Sequence, residues 1–227
     1  MIPEKRTIPP LAESAVFSPQ SADKYGTLSV FELKNLPESW PDALNKQPIR
    51  FRRVLRAEAT PLQEAQEKAG DYSPGDVARR LAAGREAFVG EVETASGSLI
   101  VTFGWVALTA EPLGNTGCSF EPPPGDAYLF DFATVPEYRG QGFYPALLRY
   151  ILGELADGGV KRAWITTAPG NQTAARSISR DGFTKVADTD YIPAAPGHPA
   201  YFELLEDERF DPVLREIGSR ALIANRG

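Results

Sequence analysis

YLFDFATVPEYRGQGFYPALLRYILGEL, residues 128–155, joins an apolar run to a leucine-rich run through a turn that holds two glycines. The first run (128–135) is apolar at nearly every position and predicts a buried strand. In the second run the apolar residues at 147, 148, 151, 152 and 155 share one face of a helix. The segment therefore predicts a strand, a flexible turn and a helix in direct succession.

The turn itself, RGQG (139–142), has the chemistry of an anion site. The first N–H groups of a helix have no acceptor within the helix, and the helix dipole places partial positive charge there. Glycines let an oxygen approach because no Cβ intervenes, Arg139 adds a permanent charge, and Gln141 adds a polar side chain. A phosphate or diphosphate over residues 139–144 is one interpretation. A tight strand–helix turn without a ligand is the other, since the turn matches neither a P-loop nor GxGxxG.

Apolar patterning predicts further strands and helices on both sides of this segment. The predicted strands are GTLSVFELK (26–34), PIRFRRVLRA (48–57), AFVGEV (87–92), SLIVTFGWVAL (98–108), RAWITTA (162–168), TKVADTDYI (184–192) and PAYFELL (199–205). The predicted helices are TPLQEAQEKAG (60–70), SPGDVARRLAAGREA (73–87) with Ser73 as N-cap and Pro74 at its first position, NQTAARSISRDGF (171–183) and DPVLREIGSRALIANR (211–226). This order predicts one α/β domain with a mixed sheet.

Composition excludes several classes of site. The chain has 227 residues, a formal net charge of -6, one cysteine (Cys118) and one histidine (His198). A disulfide within the chain and a Cys/His zinc cluster are excluded, and we expect no metal. The acidic balance argues against nucleic acid as a partner. His198 lies in a Pro- and Gly-rich segment without a nucleophile-elbow pattern, which argues against a Ser-His-Asp hydrolase.

The same sequence predicts a soluble, cytoplasmic protein with no membrane partner. No apolar run approaches the roughly 20 residues that a membrane-spanning helix needs. The N-terminal stretch MIPEKRTIPPLAES lacks the apolar centre of a signal peptide.

Two motifs resemble those of the GCN5-related N-acetyltransferases, the GNAT family. FATVPEYRGQGFYPALL (132–148) is similar to motif A, Arg/Gln-x-x-Gly-x-Gly/Ala after a strand, with Arg139 and Gly142 at matching positions. NQTAARSISRDGF (171–183) is similar to motif B, N-x-x-A-x-x-x-Y-x-x-x-G-F. The residues that match motif B are Asn171, Ala174, Gly182 and Phe183. The resemblance covers residues 48–205 in round terms and leaves both termini outside.

The resemblance implies an α/β (α+β) fold with a mixed, mostly antiparallel central sheet, a V-shaped splay between two central strands, and helices on both faces. It also implies acetyl-CoA as co-substrate, with its pantetheine arm in the splay and its diphosphate on the turn. The cofactor-binding residues that it implies are Phe132, Thr134, Arg139, Gly140, Gln141, Gly142, Phe143, Tyr144 and Asn171.

Two residues depart from the family pattern. Tyr144 stands where the family has Gly or Ala, so we expect its phenol to point away from the diphosphate or to donate to it. Ile178 stands where many members have a tyrosine that protonates the departing thiolate, and Ser177 beside it faces about 100° away on a helix. Core packing is the expected role of Ile178, and Tyr191 and Tyr144 are alternative acids.

The candidate catalytic residues are Asp131 and Tyr128. In some relatives a carboxylate on this strand acts as the general base, and Tyr128 occupies the matching position. Asp126 and Asp131 are the nearest acids, and Asp131 ranks first because it interrupts an apolar strand. The competing interpretation is that Asp131 forms a structural ion pair. In a regular strand its side chain points to the opposite face from those of Phe132 and Thr134.

These patterns predict an N-terminal extension (1–45) with one strand, a GNAT-like acyl-CoA-binding domain (46–206), and a C-terminal helix or tail (207–227). The expected function is transfer of acetyl from acetyl-CoA to an amine of a small molecule or a peptide. A CoA-binding or sensing module without catalysis is the alternative. A third hypothesis makes the long loop from Glu111 to Asp126 and the N-terminal arm an interaction surface, such as one between the copies of a homodimer.

Overall fold

The computed structural model describes residues 26–40, 48–70, 76–112, 118–168, 170–192, 201–205 and 223–224. The strands are β1 Gly26–Glu32, β2 Arg50–Arg53, β3 Glu86–Thr94, β4 Gly97–Ala107, β5 Glu111–Pro112, β6 Cys118–Phe120, β7 Ala127–Thr134, β8 Arg162–Thr167, β9 Thr184–Ile192, β10 Tyr201–Leu205 and β11 Ile223–Ala224. The α-helices are α1 Ala59–Ala69, α2 Asp76–Ala82, α3 Phe143–Asp157 and α4 Gln172–Arg180. Short 3-10 helices cover Leu33–Asn35, Arg56–Glu58 and Pro136–Tyr138.

Eight strands form one sheet in the order β10-β9-β1-β8-β7-β4-β3-β2. Neighbours in this sheet are antiparallel except β7 and β8, which are parallel. The predicted α/β class and the mixed, mostly antiparallel sheet are therefore confirmed. The predicted strands from 26–34 to 199–205 all appear in this sheet with shifts of a few residues at their ends.

The two faces of the sheet pack against different helices. Alternation along β7 sends Tyr128 and Phe130 to the layer under α1 and α2, and Ala127 and Leu129 to the layer under α3 and α4. Trp164 on β8 joins the first layer, whereas its neighbours in the chain join the second. Both faces are thus apolar and covered, as a sheet with a parallel central pair requires.

Helix α3 follows directly from the sequence pattern. Its leucines at 147, 148, 152 and 155 and Ile151 are all buried, as predicted from their spacing. The helix begins after Gly142, which has φ 79° and is the N-cap without a side-chain cap. The left-handed conformation there is one that glycine adopts readily and other residues rarely do.

Strand β1 lies inside the sheet, hydrogen-bonded to β8 on one side and to β9 on the other. The strand predicted in the N-terminal extension is thus present, and it belongs to the same sheet as the 46–206 segment. The boundaries of the three predicted parts stay predictions.

The loop from Glu111 to Asp126 contains two short strands that the sequence pattern did not predict. Strands β5 and β6 pair with each other, and β6 also pairs with β11, which forms a second, three-stranded sheet. Residues 223–224 are therefore a strand, and the predicted helix 211–226 is wrong at these two positions. The rest of that helix, Ser73, Pro74 and His198 lie outside the described residues.

Within the described ranges, no helix is both long and apolar enough to cross a bilayer. In the same ranges, no three His, Cys, Asp or Glu residues are grouped so that they could hold a metal ion.

Candidate active site

Strands β7 and β8 are paired over only part of their length. Residues 127–129 of β7 pair with residues 163–165 of β8. On its other side β7 stays paired with β4 as far as Thr134. Among the described residues, the edge of β7 that faces β8 therefore has no strand partner beyond Leu129, which is the place where the splay was predicted.

A β-bulge deforms β7 at this point. Between the Phe103–Ala133 and Trp105–Phe130 pairs, Gly104 of β4 faces two residues of β7, Asp131 and Phe132. Asp131 has φ 47°, a left-handed conformation that Asp tolerates better than most side chains. A Cβ on Gly104 would lie 2.5 Å from the Phe132 ring, so the close approach of the two strands requires glycine there.

The bulge aims the Asp131 side chain at helix α2. Its Oδ2 accepts a 2.6 Å hydrogen bond from Nη2 of Arg80, and the Asp131 side chain keeps 38% of its surface exposed. Arg80 also pairs with Asp76, and its guanidinium lies over the rings of Trp105 and Phe130 at 5.3 and 5.4 Å. Asp131 faces the layer under α1 and α2, whereas Phe132 packs in the layer under α3 and α4, so these two side chains still point to opposite faces of the sheet.

Tyr128 is buried and bridges the two separating strands. Its hydroxyl lies 2.6 Å from Oγ1 of Thr166 on β8. Burial raises the pKa of the Tyr128 phenol well above its ordinary range. Tyr128 therefore stays protonated at neutral pH. Donating a hydrogen bond is then the catalytic role that its phenol can have.

The turn after β7 presents a row of backbone donors. The N–H of Arg139 donates to the Pro136 carbonyl at 3.2 Å. The N–H groups of residues 140–144 have no acceptor in the described part of the chain. Gly140 and Gly142 have φ 77° and 79°, and a Cβ at either would meet no atom within 4 Å. The free donors thus begin at Gly140, include Gln141 and Phe143, and end at Tyr144.

The Arg139 side chain does not project over these donors. Its Nε donates to the Thr134 carbonyl at 2.9 Å, and its Nη2 donates to the Ala69 carbonyl at the end of α1 at 3.1 Å. The guanidinium thereby ties α1 to the end of β7. The Thr134 carbonyl, which the resemblance placed along the pantetheine arm, already accepts this hydrogen bond.

Tyr144 packs against Phe132. The two ring centroids are 5.6 Å apart with the planes at 76°, an edge-to-face contact between the first turn of α3 and the bulge of β7. Burial raises the pKa of the Tyr144 phenol, and the Asp181 carboxylate raises it further. The Tyr144 ring lies against Phe132, and its orientation relative to a bound diphosphate stays a prediction.

Asn171, Ile178 and Asp126 have structural partners. Oδ1 of Asn171 accepts from the Ala174 N–H at 3.2 Å and caps α4, which leaves its Nδ2 as a donor. Ile178 is buried in the core, as expected. Asp126 is buried and accepts from Arg162 and Trp164, both at 2.8 Å. Its pKa is raised by burial, and it belongs to a structural ion pair.

The sequence reasoning missed Arg80 and Thr166. Arg80 is one of two adjacent arginines in DVARRLAAG, and the pattern does not show which of them faces the sheet. Thr166 lies in a strand without any local motif. Its contact with Tyr128 depends on how the two strands diverge.

Known protein families and solved structures that resemble this chain are consistent with the fold and the turn described above. The sequence model of the acetyltransferase (GNAT) family matches residues 64–183, which is slightly more than half of the chain. The chain belongs to this family. No curated protein sequence matches it.

Solved structures share the fold at low identity. A GCN5-related N-acetyltransferase from Sphaerobacter thermophilus matches with TM-score 0.50 and 21% identity, over 71% of this chain and 48% of that one. The GCN5-related glucosamine N-acetyltransferase region of a fungal multi-domain GH3 β-N-acetylglucosaminidase matches with TM-score 0.53 and 14% identity, over 72% and 20%. A GNAT-family acetyltransferase from Colwellia psychrerythraea matches with TM-score 0.50 and 14% identity, over 71% and 52%. The chain thus spans about half or less of the length of these proteins.

Proposed function

We propose that this protein transfers an acetyl group from acetyl-CoA to a primary amine. The observation that carries the proposal is the row of backbone N–H groups at residues 140–144, which have no acceptor in the described ranges. The donors stand at the start of a 15-residue helix, whose dipole adds partial positive charge. They suit the diphosphate of acetyl-CoA, because the two glycines leave the approach open.

The pantetheine arm of acetyl-CoA would lie in the splay between β7 and β8. The edge of β7 at Phe132, which has no strand partner in the described ranges, offers backbone groups to the pantetheine amides, and Nδ2 of Asn171 offers a further donor. Arg139 supports the site indirectly, because its side chain fixes the end of β7 on which Thr134 lies. Tyr144 contributes its backbone N–H, while its ring shapes the space beside Phe132.

Acetyl-CoA supplies an activated acyl group, and the chain supplies a proton acceptor. An N–C bond to the acetyl carbonyl carbon forms and the C–S bond breaks. The ammonium form of the acceptor loses one proton to Asp131, which the bulge holds exposed at the end of the splay and which returns the proton to solvent. The attacking nitrogen loses its second proton to water as the C–S bond breaks. A thiol pKa near 8.5 means that the leaving sulfur takes a proton from water, so no dedicated acid is required at Ile178. The Tyr128 hydroxyl stays protonated and serves as a hydrogen-bond donor.

The test is CoA release across a panel of small-molecule and peptide amines, with mass spectrometry of the products. Acetylated amine at a rate above the hydrolysis background supports the proposal. No CoA binding at millimolar concentration contradicts it. We also propose that this acetyl transfer takes place in the cytoplasm.

A second candidate is a CoA-binding or sensing module without catalysis. The observation that favours it is Ile178, which is buried in the core at the position of the family's acid. This candidate predicts tight CoA binding with no turnover on any amine. Restoring a tyrosine at 178 would then leave turnover absent.

A further inference from the structure

Arg139 stands where the turn, strand β7 and helix α1 meet. Its backbone lies directly before the row of free donors that begins at Gly140. Its Nε donates to the carbonyl of Thr134, the last residue of β7, at 2.9 Å. Its Nη2 donates to the carbonyl of Ala69, the last residue of α1, at 3.1 Å. One guanidinium therefore joins the turn to a strand end and to a helix end that lies 70 positions away in sequence.

The end of α1 suits this contact for a local reason. The last carbonyls of a helix have no donor within the helix, and they carry the negative end of the helix dipole. The Gly70 N–H closes α1 by donating to Gln66, and the Ala69 carbonyl receives its hydrogen bond from Arg139. The planar fork of an arginine points separate N–H groups at two acceptors, whereas a lysine ammonium is a point charge without a fixed direction. The side chain is thus held at two points by backbone carbonyls.

Helix α1 extends this connection to the amine side of the sheet. Leu62 of α1 and Val77 of α2 belong to one buried apolar cluster that covers the sheet. From α2, Arg80 donates to Asp131 at 2.6 Å. Arg139 therefore holds one end of the helix layer that holds the proposed proton acceptor.

Strand β7 provides a second, shorter connection. Asp131 and Thr134 are three positions apart on this strand, and the Thr134 carbonyl accepts from Arg139. In the described ranges, β8 gives this part of β7 no strand partner, and β4 pairs with it on one side only. Arg139 thus supplies a tie to the end of β7 that β8 does not.

We propose that the Arg139 side chain is a positioning residue that sets the amine side of the site against bound CoA. A diphosphate on the donors of residues 140–144 fixes the turn, and Arg139 passes that constraint to α1 and to the end of β7. Bound CoA then favours an α1 end tied to the turn over one released from it, which fixes the position of Asp131. By linkage, each substrate strengthens the binding of the other. This inference rests on the proposed acetyl transfer and adds the residue that aligns its two substrates.

A ¹H–¹⁵N titration of the full chain with CoA tests the connection. The Ala69 carbonyl and the Gly70 N–H belong to one peptide group, so the Gly70 amide signal responds directly to the contact with Arg139. The Arg80 Nε–H signal reports the amine side, because this guanidinium holds Asp131. We expect CoA to shift both signals together with the amide signals of the turn.

Two variants assign the connection to Arg139. Arg139→Lys keeps a charge beside the turn but removes the fork that reaches both carbonyls. In this variant we expect CoA to shift the turn signals and to leave the Gly70 and Arg80 signals in place. Arg56→Lys is the matched control and should behave like the wild type, because Arg56 is an exposed arginine just before α1, at the other end of that helix. Each comparison is made with and without CoA in the same variant, so a change in stability does not imitate the effect.

Turnover gives an independent readout. With butylamine and saturating acetyl-CoA, Arg139→Lys should raise the amine KM about tenfold and change the CoA dissociation constant by less than about twofold, since a coupling between sites is lost and the CoA contacts are kept. An unchanged amine KM would overturn the inference.

The titration separates this inference from the proposed function. Equal shifts of the Gly70 and Arg80 signals in Arg139→Lys and the wild type would overturn the inference and leave acetyl transfer intact. The same holds if these signals stay in place in the wild type while the turn signals move. Unshifted turn signals at saturating CoA would overturn the proposed function itself.

Discussion

The Asp131 carboxylate accepts a hydrogen bond of 2.6 Å from the Arg80 guanidinium, across 51 positions of sequence. The contact holds an exposed acid at a bulge, next to the edge of β7 that has no partner strand in the part of the chain that the structure describes. A structural ion pair and a proton acceptor were alternatives for Asp131. The structure shows the ion pair, and the exposed part of the carboxylate keeps the second role open as a proposal.

Asp131→Asn should lower kcat for amine acetylation about 10²-fold, because an amide cannot take the ammonium proton. The CoA dissociation constant should stay unchanged, since the substitution lies away from the turn. Stopped-time assays of CoA release and calorimetry measure the two quantities. Asp157→Asn, at the exposed end of α3, controls for the loss of one charge. Wild-type kcat in Asp131→Asn would remove Asp131 from the mechanism.

Tyr128→Phe should leave the pH dependence of kcat/KM unchanged. Burial raises the Tyr128 pKa above the ordinary value of 10.0, so the phenol is neutral throughout the working range and is not the titrating base. A group whose pKa is higher in the folded than in the unfolded state stabilises the fold at pH values below its unfolded pKa. That stabilisation is lost as the pH rises through the folded pKa. Tyr128→Phe should therefore lose less stability than the wild type when the pH is raised from 9 to more alkaline values. A shifted pH–rate midpoint in Tyr128→Phe would show that the phenol does titrate during turnover.

Gly142→Ala should weaken CoA binding about tenfold and destabilise the fold by about 1 kcal/mol. The N-cap φ of 79° strains any residue with a Cβ, and the new methyl group stands among the donors. Gly84→Ala is the matched control, because Gly84 also has φ 79° with no atom within 4 Å but lies after α2, outside the turn. Calorimetry and urea unfolding measure both effects. Equal CoA affinities in the two variants would show that the turn does not hold the ligand.

Tyr144→Ala should bind CoA at least as tightly as the wild type. The substitution keeps the backbone N–H and removes the ring that packs on Phe132 at 5.6 Å. Loss of that contact should cost about 1–3 kcal/mol of stability. A dissociation constant more than tenfold higher than that of the wild type would make the Tyr144 side chain a CoA ligand. Tyr144→Phe separates the hydroxyl from the ring in the same assay.

Regular elements with a full apolar face were predictable from the sequence. The five predicted positions of α3 are buried and repeat at helical spacing, and the two arms of the β3–β4 hairpin are nearly continuous apolar runs. The turn with its glycines was predictable too, because φ near 80° at Gly140 and Gly142 is a local property of glycine. The family motifs added the splay between two central strands, which periodicity alone does not specify.

Features that depend on distant residues were not predictable. One extra residue at Asp131 changes the side to which the strand directs its side chains, and a bulge leaves no periodic signature. The place of β1 between β8 and β9 is set by pairing across 130 positions or more. Strands β5, β6 and β11 have two or three residues, too few for alternation to appear.

The central claim is that the backbone N–H groups of residues 140–144 hold the diphosphate of CoA. Its most direct test is a ¹H–¹⁵N titration of the labelled chain with CoA and, separately, with pantetheine, which lacks the diphosphate. We expect large downfield shifts of the Gly140, Gln141 and Gly142 amide signals with CoA and small ones with pantetheine. Unshifted amide signals in this turn at saturating CoA would contradict it.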